Sequence, residues 1–219
     1  MNSLPHWRLA VDVERCTGCH ACSVACKAEY RIPLGRFRTK VYYRDAGTFP
    51  AVKRHFLPAF CMQCADAPCL KVCPGKAVQR GNDGIVRIDK DACTRNRKTC
   101  GAACEKACPY AAIATGPQGG IADKCDFCSD RLAVSLLPSC VAACPTEALV
   151  FGDANASGSP IQRFLASPKG QQAAPLDRGG KPQVLYRGVD KQALARLPNG
   201  RPHDPRSYEI ESWTGETKA

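Results

Sequence analysis

Apolar positions along the chain come in short bursts, not in long periods. Leu9-Ala-Val-Asp-Val-Glu-Arg-Cys16 alternates apolar and polar residues, the period of 2 that marks a strand, and runs through a short acidic turn into a cysteine. Ile85-Val-Arg-Ile88, with Asp-Lys-Asp before Cys93, loosely repeats it. Val78-Gln-Arg80, the Gly81-Asn-Asp-Gly84 turn and Ile85–Ile88 predict a β-hairpin. Arg36-Phe-Arg-Thr-Lys-Val-Tyr-Tyr-Arg44 predicts a half-exposed strand, its basic face either solvated or a docking edge. Three further segments, beginning at Cys73, Cys108 and Cys144, share the form Cys-Pro-x-x-Ala-apolar. The predicted unit is strand, cysteine loop, short helix, Cys-Pro, strand.

From Gly152 onward the pattern thins to 8 Gly and 7 Pro in 68 residues, with no Cys. A short helix is predicted over Pro160–Ala166, started by Ser159 with Pro in first position. A strand over Gln183–Arg187 and a helix over Lys191–Arg196 follow, and the chain from Asn199 is expected to be mobile. No stretch predicts a membrane span. The most apolar, Leu132–Phe151, contains Pro138, Pro145, Glu147 and two Cys, whereas a span needs about 20 largely apolar residues. Met1–Arg8 has neither an apolar export core nor a twin-Arg pair.

Composition changes this picture. The 219 residues include only 7 Phe, 2 Trp and 2 Met, against 17 Pro, 18 Gly and 16 Cys. So thin a core needs staples. Without an export signal, disulfides are the weaker reading of the cysteines. These fall into four groups: Cys16, Cys19, Cys22, Cys26; Cys61, Cys64, Cys69, Cys73; Cys93, Cys100, Cys104, Cys108; and Cys125, Cys128, Cys140, Cys144. The last gap is 3 in every group, and Pro follows the last Cys in all but the first. This is the bacterial ferredoxin pattern, in which a tight loop wraps three corners of a cubane cluster and the fourth Cys reaches the other cluster of a pair. Zinc favours paired Cys-x2-Cys units, which Cys61/Cys64 and Cys125/Cys128 offer but the Cys-Pro triplets do not. His20 is the only His near a group, so Rieske ligation is not expected.

Cys16-Thr-Gly-Cys-His-Ala-Cys-Ser-Val-Ala-Cys26, Cys61-Met-Gln-Cys-Ala-Asp-Ala-Pro-Cys-Leu-Lys-Val-Cys-Pro74, Lys124-Cys-Asp-Phe-Cys128 and Pro138-Ser-Cys-Val-Ala-Ala-Cys-Pro-Thr-Glu-Ala-Leu149 resemble one family. It comprises the four-cluster iron–sulfur subunits of dimethyl sulfoxide reductase-type molybdopterin oxidoreductases, including polysulfide, thiosulfate, tetrathionate, sulfite and arsenate complexes. The resemblance covers roughly residues 7 to 152 and, weakly, Lys181–Arg187.

The resemblance implies an α+β fold of two ferredoxin-like βαββαβ modules, one inserted in the other, plus an irregular C-terminal tail. The outer module would span 7–35 and 117–152, the inserted module 55–116, a connecting strand or loop 36–54, and a Cys-free tail 153–219. By position, the resemblance assigns Cys16, Cys19, Cys22 and Cys144 to one cluster and Cys26, Cys125, Cys128 and Cys140 to its neighbour. The inner pair would take Cys61, Cys64, Cys69 and Cys108, then Cys73, Cys93, Cys100 and Cys104. The third group departs from the family: Lys98 and Gly101 stand where thiols usually do, and Thr94-Arg-Asn-Arg-Lys-Thr99 lengthens the loop. Four [4Fe-4S] clusters are expected, with [3Fe-4S] as the alternative for the one using Cys93 and Cys100, as in relatives that lose a Cys there.

No Gly-x-Gly-x-x-Gly, Gly-x-x-x-x-Gly-Lys or His-Glu-x-x-His motif occurs. Four thiolates close each set, so no catalytic residue is expected. The resemblance implies electron relay between a large molybdopterin catalytic subunit and an integral-membrane, quinone-binding anchor. The alternative is a polyferredoxin of a formate dehydrogenase or hydrogenase complex. A peripheral membrane complex is expected, on the cytoplasmic face, or the periplasmic one if a signal-bearing partner exports it. A formal charge of +11 invites a nucleic-acid reading, but no recognition helix or aromatic–basic interleaving accompanies it. Four oxidised clusters with their thiolates carry about −8 in all, leaving about +3. Tyr30, Phe60, Tyr110 and Phe127 are read as packing that shields clusters, not as electron relays.

Overall fold

The alternation after residue 8 becomes β1 (Trp7–Asp12), whose two faces meet different neighbours. Leu9 and Val11 face a large core with Leu149, Phe151, Val184 and Tyr186; Ala10, between them, faces Ile161 and Leu185 in a smaller one. This computed structural model of the chain describes residues 4–46, 48–116 and 120–189.

After β1 come α1 (Ala21–Tyr30), the strands β2 (Lys40–Ala46) and β3 (Lys53–Ala59), and α2 (Pro68–Lys71). The hairpin β4 (Val78–Arg80) and β5 (Val86–Ile88) precedes α3 (Lys90–Asn96) and α4 (Ala103–Lys106). Next are β6 (Ile113–Thr115), β7 (Ala122–Lys124), α5 (Ser129–Ala133), α6 (Ser139–Ala142) and β8 (Leu149–Asp153). The tail adds α7 (Pro160–Ala166), a 3-10 turn at Gly170–Gln172, β9 (Ala174–Pro175) and β10 (Val184–Arg187). The result is a mixed α/β chain of short helices and small sheets, consistent with a ferredoxin-like fold. Hairpins β2–β3, β4–β5 and β6–β7 are separate two-stranded sheets, and the remaining strands form one sheet ordered β8-β1-β10-β9.

Local signals explain the helix boundaries. Asp89 Oδ1 accepts the backbone N–H of Asp91 and Ala92 to cap α3. Ser159 Oγ accepts the N–H of Gln162, and Pro160 follows at the first helical position, as predicted for α7. α2, α4 and α6 are single turns, each carrying one Cys, and Cys-Pro ends each of them. Gly152 lets α7 lie on the sheet, where an added Cβ would stand 3.2 Å from Ile161 Cγ2.

Three expectations change. The tail is not irregular through Arg187: β10 lies inside the main sheet, parallel to β1, with all four residues buried. Arg187 donates to Asp12 at 2.6 Å and to Glu14 at 2.8 Å, which fixes the strand ends. The basic segment 36–44 is not one alternating strand either, because β2 begins at Lys40. Arg38 turns inward, its side chain 7% exposed, and pairs with Asp123 at 2.6 Å and Asp126 at 3.5 Å. Two carboxylates there outcompete water for the guanidinium. The segment Thr94–Asn96, expected in a loop, is the last part of α3. The predicted helix at Lys191–Arg196 and the expectation for the chain from Asn199 lie outside the described residues.

Candidate iron–sulfur sites

Each cysteine group is split by its own geometry. In the first, the loop after β1 carries Cys16 and Cys19, Cys22 lies in the first turn of α1, and Cys26 follows one helical turn further along it. Cys22 lies near Cys16 and Cys144; burial first, then those two thiols, push its pKa up to about 11. Cys19 is exposed and Cys16 and Cys144 are half-buried. The β2–β3 hairpin covers this loop: the Phe56 ring occupies the space a Cβ on Gly18 would need. His20 contacts the Tyr43 hydroxyl and takes no part in a thiol group.

Cys26, Cys125, Cys128 and Cys140 line one apolar cavity with Phe127, Phe151 and Tyr30. All four thiols are buried. Burial drives Cys26 up to about 12, with Thr39 and Arg38 opposing it, and drives Cys125 and Cys140 well above the ordinary thiol value. Arg38 lies 3.8 Å over the Tyr30 ring, and the Tyr30 hydroxyl donates to Asp126 at 3.0 Å.

Cys64 lies beside Cys61, Cys108 and Cys69, and burial followed by those thiols pushes it up to about 12. Cys69 reaches about 12 in the same way. The tail closes this group. Lys181 and Gly180 carbonyls accept the N–H of Ala65 and Asp66 at 2.9 and 3.0 Å, and Arg178 N–H donates to the Tyr110 hydroxyl at 2.9 Å. Lys124 Nζ donates to Cys61 Sγ at 3.7 Å from a side chain that is almost wholly buried.

The last cavity is lined by Cys73, Cys93, Cys100 and Cys104, with Asn96 and Arg97 at its rim. Cys104, pushed to about 11 by burial and then by Cys73, with Glu105 N–H opposing and Cys93 and Cys100 adding, sits among all three. The irregular spacing of the third group is absorbed by α3, which carries Cys93, and by a turn through the left-handed residues Gly101 and Ala102.

These residues fit iron–sulfur clusters. The donors are thiols alone, and two of the sets line apolar cavities. Burial without a metal disfavours the thiolate, and coordinated iron supplies the positive charge that reverses this. Backbone N–H groups of Ala112 and Ala122 already point at Cys108 and Cys93 sulfurs at 3.4 Å, the hydrogen bonds that tune such clusters. All sixteen cysteines are free of disulfides. Among the described residues, no three His, Cys, Asp or Glu converge closely enough to hold a single metal ion. Sequence reading did not find Lys124, Gln63, Arg38 or Gly180 as parts of the site. Their burial depends on strands far apart in the chain, and no local pattern marks it.

Comparison with known proteins agrees. Residues 52–154 match the model of a 4Fe-4S dicluster domain, and residues 7–28 that of a 4Fe-4S binding domain. A Halobacterium salinarum protein assigned as the iron–sulfur subunit of a dimethyl sulfoxide reductase is 31% identical, over 95% of this chain and 86% of its own. The thiosulfate reductase electron transfer subunit of Salmonella typhi is 42% identical, over 70% and 78%. One of the polysulfide reductase chains of Wolinella succinogenes is 40% identical, over 71% and 81%. With ferredoxin-type cysteine groups brought together by the fold, the chain belongs to the iron–sulfur electron-transfer subunits of dimethyl sulfoxide reductase-type complexes.

Proposed function

We propose that this chain carries four [4Fe-4S] clusters and relays electrons between a molybdopterin-containing catalytic subunit and a quinone-reactive membrane subunit. One observation carries the reading: the four thiol sets adjoin one another in a row. Thiols of successive sets lie near enough for the charge of one to raise the pKa of the other: Cys22 acts so on Cys140, Cys61 on Cys125, and Cys104 on Cys69. The ligand sets are Cys16, Cys19, Cys22, Cys144; Cys26, Cys125, Cys128, Cys140; Cys61, Cys64, Cys69, Cys108; and Cys73, Cys93, Cys100, Cys104. A row of closed sites conducts and has nowhere to bind substrate.

The nested arrangement of modules, outer 7–35 with 117–152 and inner 55–116, is supported by the pairing of β1 with β8, whose ends flank the first and second sets. No helix among the described residues is long and apolar enough to cross a membrane. The test is purification of the native complex, with iron and sulfide counts and reductive electron paramagnetic resonance. About sixteen iron atoms per chain and a co-purifying molybdopterin protein are expected. Fewer than three clusters would overturn the reading. A formate dehydrogenase or hydrogenase partner would favour the polyferredoxin alternative.

A further inference from the structure

Lys124 is a cation in an unusual place. It ends β7 one residue before Cys125, and only 3% of it is exposed. Its Nζ donates to the Cys125 carbonyl at 2.9 Å, to the Val86 carbonyl, and to Cys61 Sγ at 3.7 Å. An ammonium has three N–H groups and no acceptor. Here its three donors face three acceptors. Gln63, also buried, holds the same carbonyls in place: its Nε2 donates to Cys125 O at 2.7 Å and its Oε1 accepts Val86 N–H at 2.8 Å.

No carboxylate among the described residues pairs with Lys124. An unpaired buried cation is unfavourable unless an anion compensates it. The anionic group within reach is the Cys61 thiolate and whatever it ligates. The neighbouring set differs. Arg38 lies near Cys26, but Asp123 and Asp126 already neutralise its charge. Two adjoining sites therefore see different fields, one with an uncompensated cation and the other with a cation balanced by two carboxylates.

We infer that Lys124 is a positioning residue that acts through Cys61 Sγ to place one fixed positive charge at the junction of the second and third thiol sets. It makes the Cys61 site the more easily reduced of the two. Positive charge close to a cluster favours the state with the extra electron, and low surrounding polarity keeps the charge from being screened. The electron thus finds a local downward step from the Cys26 side to the Cys61 side. This inference rests on the proposed relay function.

The test is redox titration of the intact iron-loaded complex, followed by electron paramagnetic resonance, for wild type and the variants Lys124→Gln, Lys124→Met and Lys124→Arg. Gln keeps a donor for the two carbonyls while removing the charge. The expected result is full iron content in Lys124→Gln, one cluster shifted to lower potential, the others unmoved, and recovery in Lys124→Arg. Unchanged potentials at full iron content overturn the inference. So does iron loss in both neutral variants, which would assign Lys124 to assembly. Failure of the relay reading itself shows separately, as too few clusters in the wild type.

Discussion

A β-carbon on Gly180 would stand 2.7 Å from Cys64 Sγ, so the tail rests directly on that thiol. The contact is held from both sides. Asp177 Oδ1 accepts the N–H groups of Gly179, Gly180 and Lys181, and the Cys64 carbonyl accepts from Arg80 at 2.6 Å. Gly180→Ala must push the tail or the thiol aside, at about 1–3 kcal/mol. The expected outcome is faster bleaching of cluster absorbance in air. Gly35→Ala, at φ +74° with nothing within 4 Å, is the comparison variant, since it adds backbone strain and no contact. Equal bleaching of the two variants would show that the contact with Cys64 is immaterial.

Arg187 and Asp12 form a second close pair, with side chains 8% and 2% exposed. Arg187→Met leaves a buried carboxylate unpaired, at a cost of about 3–5 kcal/mol. The midpoint of thermal unfolding should fall by about 10 °C. Arg15→Met breaks the Arg15–Glu147 pair, whose side chains are 45% and 81% exposed, and should cost under about 1 kcal/mol. Comparable losses in the two variants would contradict this difference in burial.

Arg95, Arg97 and Lys98 surround the approach to the fourth thiol set and are exposed. Neutralising all three should lower the potential of that cluster. Water screens such charges, so the shift should be about 40 mV or less, the equivalent of about 1 kcal/mol. Redox titration checks this, and an upward shift would refute it.

Iron removal should unfold the chain, because Cys22, Cys61, Cys64, Cys69, Cys104, Cys125 and Cys140 belong to the same core as Leu9, Val11 and Phe151. Circular dichroism showing native structure in an iron-free sample would contradict this. The pH dependence follows from burial. Cys22 and Cys104 are pushed to about 11, and Cys26, Cys64 and Cys69 to about 12, so these thiols hold their protons at pH 7 in the absence of metal. Cluster binding expels those protons, so lowering the pH favours release of iron. A chelator should extract more iron at pH 6 than at pH 8.

Features with local causes were legible in the sequence. The Cys spacing, the Gly81–Gly84 hairpin and the Ser159-Pro160 helix start each depend on neighbours within a few residues, and each appears where the pattern put it. What escaped depends on distant partners. Leu9 pairs with Val184, so nothing near residue 184 says that its strand fills the interior of a sheet. Arg38 reads as part of a basic face until Asp123 and Asp126 arrive from another hairpin. Nothing near Lys124 in the chain says that Val86 and Cys61 enclose it.

The place of β10 between β1 and β9 also sets an order of assembly during synthesis. Domains generally fold as units, N-terminal first, as the chain emerges from the ribosome. Here the first strand made waits for Leu149–Asp153 on one side and for Val184–Arg187 on the other. The thiols between Cys61 and Cys108, by contrast, are all translated before residue 109. The middle thiols are therefore made before β1 has either of its neighbours, but the cover over them arrives only with Lys124 and with residues 178–181, just ahead of β10.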